Sequence, residues 1–285
     1  MAELDEGRSR QRSGHARARS RWCNGKSCFD AQRILLMGCL RRLFFTPAFH
    51  RKNRLVSPNP QAASTKAHFD RISGCWSRNY DLSGAMRRRI DDFSAVLKRH
   101  VAPEARVLDF GCGSGDITRA LAREGFAMTG IDLSPAMIAA ARQAPGAEGI
   151  EWLVVHAGDV TLPFSDCVFD GAQASSVFEY HADCAGQLRE LHRVLKPGGV
   201  FSFTVPDMAH PSRRAEVTWR GLAQGWLWPL LRLTPRHDYF EYLRVSANRW
   251  PLEKWLALAR DAGFSAEPPA TRETSLAMIV CRKRA

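Results

Sequence analysis

The sequence predicts an α/β protein built on a doubly wound, mostly parallel sheet. The first observation is the apolar run Val107–Phe110, which ends at a cluster of glycines as a buried parallel strand does before a turn. The second is the alternation of strand-like and helix-like patterns over residues 106–205, which implies right-handed crossovers. We expect one such domain at residues 67–285, with an α-helical insertion at 207–249.

The turn after the first strand contains Gly111, Gly113 and Gly115. Glycine suits such a turn because it reaches backbone angles closed to other residues and places no Cβ against a ligand. The G-x-G-x-G spacing differs from the G-x-G-x-x-G of dinucleotide sites. Asp109 precedes the turn, where its carboxylate would repel a phosphate and attract a cation. We therefore predict a ligand that is a nucleoside without phosphate.

The next two predicted strands also end in carboxylates. Residues 127–131 lead into Asp132, at about the position where doubly wound folds use an acidic side chain to bind ribose hydroxyls. Residues 151–155 lead into Asp159 and Val160, which offer a carboxylate and a backbone amide to an adenine edge. Three strand ends thus present acidic groups to one ligand.

Five blocks carry a resemblance to a known family: VLDFGCGSG at 107–115, GIDLSPAMI at 130–138, AGDVTLPF at 157–164, FDGAQASSVFEY at 169–180 and LHRVLKPGGVFSFTVP at 191–206. With these blocks in this order, residues 67–285 resemble the class I S-adenosylmethionine-dependent methyltransferases. The resemblance implies a seven-stranded Rossmann-like fold, S-adenosylmethionine as cofactor and a methyl-transfer activity. A non-catalytic module that binds S-adenosylmethionine is the alternative.

The resemblance also implies roles for individual residues. Residues that match Asp109, Gly111 and Gly113 contact the methionine portion of the cofactor in that family. The match to Asp132 binds ribose, the matches to Asp159 and Val160 hold adenine, and Ser175 and Ser176 border the cofactor after the fourth strand. Five further positions complete the predicted cofactor site: Tyr80, Cys112, Gly115, Leu133 and Met137. Gly115 can alternatively serve helix packing alone, and Tyr80 can be plain core.

Residues 67–100 are predicted to form two helices. Phe69, Ile72, Trp76 and Tyr80 make one apolar stripe, and a second stripe runs from Ile90 to Leu97. In the resembling enzymes such helices cover the cofactor.

The insertion at 207–249 is rich in tryptophan and leucine, and we interpret it as a lid over the substrate. Ligands of open α/β sheets bind beyond the carboxyl ends of the strands, where such an insertion would lie. Its apolar content favours a small acceptor with a hydrophobic body, such as a quinone precursor, polyketide, isoprenoid or lipid. A helix pair packed on the domain, or a dimer contact, is the alternative.

A general base is needed only where the acceptor must lose a proton. His181, just beyond the fourth strand, is the first candidate, followed by His237, His210 and Glu179. The alternative is an enzyme that only aligns its substrates.

Net positive charge is concentrated near the amino terminus. Residues 1–66 contain 14 Lys and Arg against 4 Asp and Glu, whereas the rest of the chain contains 27 against 25. We predict a basic, disordered extension at 1–66, with a peripheral membrane contact through 31–55 as one role and a solvated extension as another. The nearly neutral domain argues against a nucleic acid partner, although an RNA methyltransferase that uses the extension is the alternative.

The eight cysteines form no C-x-x-C pair, and no His or acidic residues show a metal-ligand spacing. We therefore predict reduced thiols, no metal and a cytoplasmic location. The oligomeric state is left open.

Overall fold

The computed structural model describes residues 60–82, 84–156, 161–225, 227–231, 233–269 and 274–285. Most of the predicted basic extension, including the segment 31–55, lies outside these residues. Helix α1 (Pro60–Trp76) begins seven residues before position 67, where the sequence places the start of the domain.

The sheet confirms the predicted doubly wound architecture. Its strands are β1 (Arg106–Phe110), β2 (Ala127–Asp132), β3 (Glu151–Val154), β4 (Phe169–Ser175), β5 (Leu195–Pro206), β6 (Phe264–Glu267) and β7 (Leu276–Lys283). They lie in the order β3-β2-β1-β4-β5-β7-β6, and β7 runs antiparallel to both of its neighbours. Because β2 and β4 flank β1 on opposite sides, the connections diverge at the carboxyl end of β1 and open a crevice there.

The amino-terminal helices differ in number from the two that the sequence predicts. Between residues 60 and 100 the described chain forms α1, the short α2 (Arg78–Leu82) and α3 (Gly84–His100). The break after α1 is a tight turn in which the Tyr80 N–H donates to the Ser77 carbonyl at 3.0 Å. Tyr80 therefore leaves the stripe of α1 and packs instead with the apolar side chains of α3.

The remaining helices are α4 (Asp116–Arg123), α5 (Pro135–Gln143), α6 (Cys184–Val194), α7 (Pro211–Gln224), α8 (Trp228–Leu231), α9 (His237–Val245) and α10 (Leu252–Asp261), with a 3-10 turn at Phe178–Tyr180. The core has two main parts. One joins α6 and α10 to the sheet around Trp255 and Phe178, and the other joins α3 and α4 to it around Phe93 and Leu121.

The Trp152 ring on β3 packs against the glycine turn. It lies so close to Gly115 and Gly130 that a Cβ on either would meet its Cζ3 at 2.7 Å. The indole Nε1 donates to the Ala147 carbonyl at 3.3 Å, which holds the ring in place. Gly115 also has φ of +75°, so its conformation and its contact both favour glycine.

The insertion between β5 and α10 is helical, and it contains α7, α8 and α9. Its end is attached to the 3-10 turn, because the Asn248 side-chain amide donates to the carbonyls of Phe178 at 2.8 Å and His181 at 2.5 Å. Tyr242 of α9 packs against Tyr180, with ring centroids 6.4 Å apart. The insertion therefore lies beside the carboxyl end of β4.

No helix within the described ranges is long and apolar enough to cross a membrane. The five cysteines that these ranges include are free thiols.

We expect Gly115→Ala to lower the free energy of unfolding by about 3 kcal/mol, since the new methyl group must displace the Trp152 ring as well as adopt a positive φ. Gly149→Ala is the matched control, because Gly149 has the same φ of +75° and nothing within 4 Å of the new Cβ. We expect the control to cost about 1 kcal/mol. Urea denaturation measures both, and equal losses would show that the Trp152 contact contributes nothing.

Candidate functional site

Asp109 lies at the carboxyl end of β1, where its side chain is 2% exposed. Its Oδ2 accepts a hydrogen bond from the Thr118 hydroxyl at 2.6 Å, so the first turn of α4 holds the carboxyl group in place. Burial raises the pKa of Asp109 to about 6, against the hydrogen bond from Thr118, and the nearby charge of Asp132 raises it further. Burial therefore disfavours the ionised form of Asp109 in the free protein.

Asp132 ends β2 and joins two neighbouring backbone segments. Its Oδ2 accepts from the Gly113 N–H at 2.9 Å, and its Oδ1 accepts from the Ser134 N–H at 2.8 Å. Burial raises the pKa of Asp132 to about 6, although both backbone hydrogen bonds lower it. The carboxylate therefore fastens the glycine turn to the start of α5.

The glycine turn is left-handed at three positions, with φ of +74° at Gly111, +54° at Gly113 and +75° at Gly115. A Cβ at Gly111 would meet the Val177 side chain at 2.8 Å, so the loop after β4 closes directly on the turn. Gly115 faces Trp152, which supports the packing role that the sequence leaves open for it. Gly113 has the most open Cβ position of the three, with its nearest neighbouring atom at 3.4 Å.

Helix α1 forms a cover over this edge of the sheet. The Trp76 indole lies over the turn, with its Nε1 3.4 Å from the position of a Cβ on Gly113. The Ser77 hydroxyl donates to Asp116 at 3.0 Å, and Asp70 accepts from the Ser134 hydroxyl at 2.6 Å. Trp76 of the predicted apolar stripe is half-buried, and nothing in the spacing predicts that Asp70 reaches α5.

Ser175 and Ser176 border the same crevice after β4. The Ser175 hydroxyl accepts from Arg89 of α3 at 3.4 Å, while the Ser176 N–H donates to Thr204 at 2.9 Å. Tyr80 packs with the apolar side chains around Phe93 of α3, and burial raises the pKa of its hydroxyl.

The other predicted cofactor residues differ in how much of them a ligand can reach. Leu133 and Cys112 are half-buried at the ends of the same loops, and burial raises the pKa of the Cys112 thiol well above its ordinary value. Met137 is fully buried under the first turn of α5. Asp159 and Val160 lie outside the described residues.

His181 lies directly after the 3-10 turn, against aromatic rings. Its centroid is 5.4 Å from that of Phe110 and 6.3 Å from that of Phe178. Burial lowers the pKa of His181 to about 4, so the imidazole is neutral at pH 7 and a weak base. His237 begins α9 beside Asp238 and is partly exposed, and His210 bonds to the Ser212 hydroxyl at the start of α7. The structure does not gather the three histidines into one group.

Next to His181 the structure places a buried polar cluster, which consists of Glu179, Arg213, Glu216, Tyr242 and Arg249. Glu216 forms ion pairs with both Arg213, at 2.8 Å, and Arg249. Arg213 also donates to the Tyr242 hydroxyl at 3.2 Å, and the Arg249 guanidinium lies 5.3 Å from the centre of that ring. The members come from three distant segments of the chain, so no local pattern reveals the cluster.

Glu179 and Arg249 are the members of the polar cluster that have a buried atom without a hydrogen-bond partner among the described residues, and for Arg249 this atom is Nε. The Glu179 side chain is buried, and its unpartnered atom is Oε2. Burial raises the pKa of Glu179, whereas Tyr180, Arg249, Arg213 and Arg89 lower it. A buried acceptor without a donor is costly, so this oxygen is left unsatisfied in the free protein.

The residues present fit S-adenosylmethionine. Each oxygen of Asp132 accepts one N–H and keeps a further acceptor site, which suits the two hydroxyls of a ribose. A cationic amino group would stabilise the ionised form of Asp109, whose burial is otherwise unfavourable.

We expect Asp109→Asn to raise the free energy of unfolding of the ligand-free protein by about 2 kcal/mol at pH 8, because it removes a buried charge while keeping an oxygen for Thr118. The gain should be full above the folded pKa of about 6 and vanish below the unfolded value near 4, where the wild-type carboxyl is protonated in both states. Denaturation at several pH values measures it. Asp91→Asn, at an exposed position of α3, is the control, and a destabilised Asp109→Asn would contradict the prediction.

Comparisons with known proteins agree with this geometry. Residues 108–203 match the family model described as a methyltransferase domain. A demethylmenaquinone methyltransferase of Tropheryma whipplei (strain Twist) is 37% identical over 199 residues, which cover 69% of this chain and 81% of the relative. A 2-phytyl-1,4-naphtoquinone methyltransferase of Thermosynechococcus vestitus is 32% identical over 206 residues, which cover 70% of this chain and 89% of the relative.

A solved structure shows the same fold. A Thermotoga maritima S-adenosylmethionine-dependent methyltransferase, described as a possible histamine N-methyltransferase, aligns with a TM-score of 0.56 and 20% identity over 77% of this chain and 99% of its own. With the family model and the relatives above, the sheet and its glycine turn lead to one conclusion: the chain belongs to the class I S-adenosylmethionine-dependent methyltransferases, and S-adenosylmethionine is its methyl donor.

Proposed function

We propose that this enzyme methylates a small hydrophobic molecule of the quinol type, a ring that carries hydroxyl groups and an apolar side chain. Two relatives that match most of their length to this chain are named for naphthoquinone-type acceptors. The helices of the insertion lie beside the carboxyl end of β4, where an acceptor would bind. The observation that carries the proposal is Glu179 Oε2, a buried acceptor that has no hydrogen-bond partner among the described residues and lies within the polar cluster.

S-adenosylmethionine supplies a methyl group that is already electrophilic, so the protein has mainly to align the acceptor and exclude water. In this proposal Asp109 binds the amino group of the cofactor and Asp132 binds its ribose. Trp76 and the rest of α1 exclude water from the glycine turn. The backbone of Gly111 and Gly113 sets the depth at which the cofactor lies.

The acceptor becomes a stronger nucleophile when it loses the proton of a ring hydroxyl. Glu179 is the group that we propose for this step, because its raised pKa brings it closer to that of the proton donor. The neighbouring Arg249 and Arg213 then stabilise the negative charge that develops on the acceptor. His181 can accept a proton less readily, since its pKa near 4 makes it the weaker base.

We expect Asp109→Asn to weaken S-adenosylmethionine binding about a hundredfold, which is the loss of one charge-assisted contact of about 3 kcal/mol. In the wild type, affinity should fall as the pH is lowered through about 6, because protonation of Asp109 and Asp132 removes the charge that the cofactor needs. Isothermal titration calorimetry measures both effects. Asp91→Asn should bind like the wild type, and an Asp109→Asn protein that does so too would contradict this role.

We expect Glu179→Gln to lower kcat at least about a hundredfold with a reduced 2-prenyl-1,4-naphthoquinone as acceptor, with S-adenosylmethionine affinity unchanged. The wild-type rate should fall on the acidic side, as Glu179 becomes protonated, and the variant should lose that dependence. Radiolabelled methyl transfer measures the rate, and Glu253→Gln on the exposed face of α10 is the control. His181→Phe keeps the ring contacts, so a loss there with full activity in Glu179→Gln would assign the base to His181 instead.

A further inference from the structure

The insertion carries an exposed apolar patch, which consists of Val217, Trp219, Leu230, Leu233 and Tyr239. In the part of the chain that the structure describes, these are the large hydrophobic side chains with substantial exposure, and all of them fall within 23 residues of sequence. Leu233 is 84% exposed and Leu230 is 59% exposed. Single exposed apolar residues are common, but a concentration in one segment marks an interaction surface.

The apolar patch rests on a small core of its own. Phe240 and Leu243 are buried in the insertion, and Trp228 and Leu231 of α8 pack against them. Trp219 and Tyr239 both lie on Phe240, with ring centroids 6.1 and 5.8 Å away. Buried residues of the insertion thus support the exposed rings of Trp219 and Tyr239 from the inner side.

Arginines outnumber acidic residues around the apolar patch, although Asp238 adjoins Tyr239. Between Val217 and His237 the sequence contains three arginines and no acidic residue. Arg214 and Arg236 are exposed beside the patch. The nearest preceding acid, Glu216, is turned inward and neutralised by Arg213 and Arg249. The surface therefore combines apolar side chains with an excess of positive charge, as membrane-surface helices do.

The patch and the candidate site share the same supports. Helix α9 is bound to α1 by the ion pair of Asp238 with Arg71, and Asn248 binds the insertion to the 3-10 turn that contains Glu179. A surface that docks the apolar patch would therefore lie next to the acceptor side of the crevice. An acceptor with an apolar side chain is concentrated in such a surface and not in water.

We propose that the apolar patch docks this enzyme on an anionic phospholipid bilayer, from which its hydrophobic acceptor enters the site. Leucine and aromatic side chains enter the boundary between headgroups and acyl chains, and the arginines bind the anionic headgroups. The entry of the acceptor from the bilayer rests on the proposed function, whereas the docking of the patch on the bilayer does not. Segment 31–55, where the sequence predicts a membrane contact, lies outside the described residues and is a separate surface.

The test compares vesicle binding of the full chain with that of L230E/L233E. We expect the wild type to sediment with phosphatidylcholine vesicles that contain phosphatidylglycerol, and the variant to bind at least about tenfold more weakly. The control is A102E/A139E, at two exposed alanines of the catalytic domain, because it changes the net charge by the same amount elsewhere. Calorimetric binding of S-adenosylmethionine shows that each variant is folded.

Equal vesicle binding by L230E/L233E and A102E/A139E would overturn the proposal, as would a wild type that binds no vesicles. Sedimentation velocity tests the alternative that a second copy of the chain covers the patch. A wild-type dimer that dissociates in L230E/L233E, together with no vesicle binding, would show that the patch joins two copies. Methyl transfer to a short-chain acceptor in solution separates the two proposals. Vesicle docking without that activity would refute only the proposed acceptor, and activity without docking would refute only the membrane surface.

Discussion

The Asp132 carboxylate holds together the edge of the sheet on which the site depends. Through its two oxygens it binds the N–H groups of Gly113 and Ser134, which belong to different loops. These bonds set the glycine turn against the start of α5, and the Trp152 ring supports the turn from the opposite side. The same carboxylate is buried and its pKa is raised. The group that orders the site is therefore also one whose ionised form a polar ligand would stabilise.

Two segments distant in sequence close on this edge. Helix α1 reaches α5 through Asp70 and α9 through Arg71, so it is attached to both the cofactor side and the acceptor side of the crevice. The insertion is attached in turn to the 3-10 turn through Asn248. Cofactor and acceptor are thus expected to bind between elements that are mutually bonded. Opening one side must disturb bonds on the other.

The insertion carries polar side chains on one face and apolar side chains on another. Its inner face contributes Arg213, Glu216 and Arg249 to the polar cluster, where paired charges offset the cost of burial. Its outer face carries leucine and aromatic side chains with arginines beside them. An enzyme whose acceptor has a reactive polar ring and an apolar side chain needs both faces, and this links the proposed function to the proposed membrane surface.

The sequence by itself determined the sheet, the glycine turn and the two carboxylates Asp109 and Asp132, because these features depend on local apolar runs, spacing and strand ends. It did not determine the break between α1 and α2, which removes Tyr80 from the stripe of α1, nor the packing of Gly115 on Trp152. The polar cluster around Glu179 was decided only by the tertiary structure. Its side chains come from segments at least 26 residues apart, and long-range packing, which no local pattern records, brings them together.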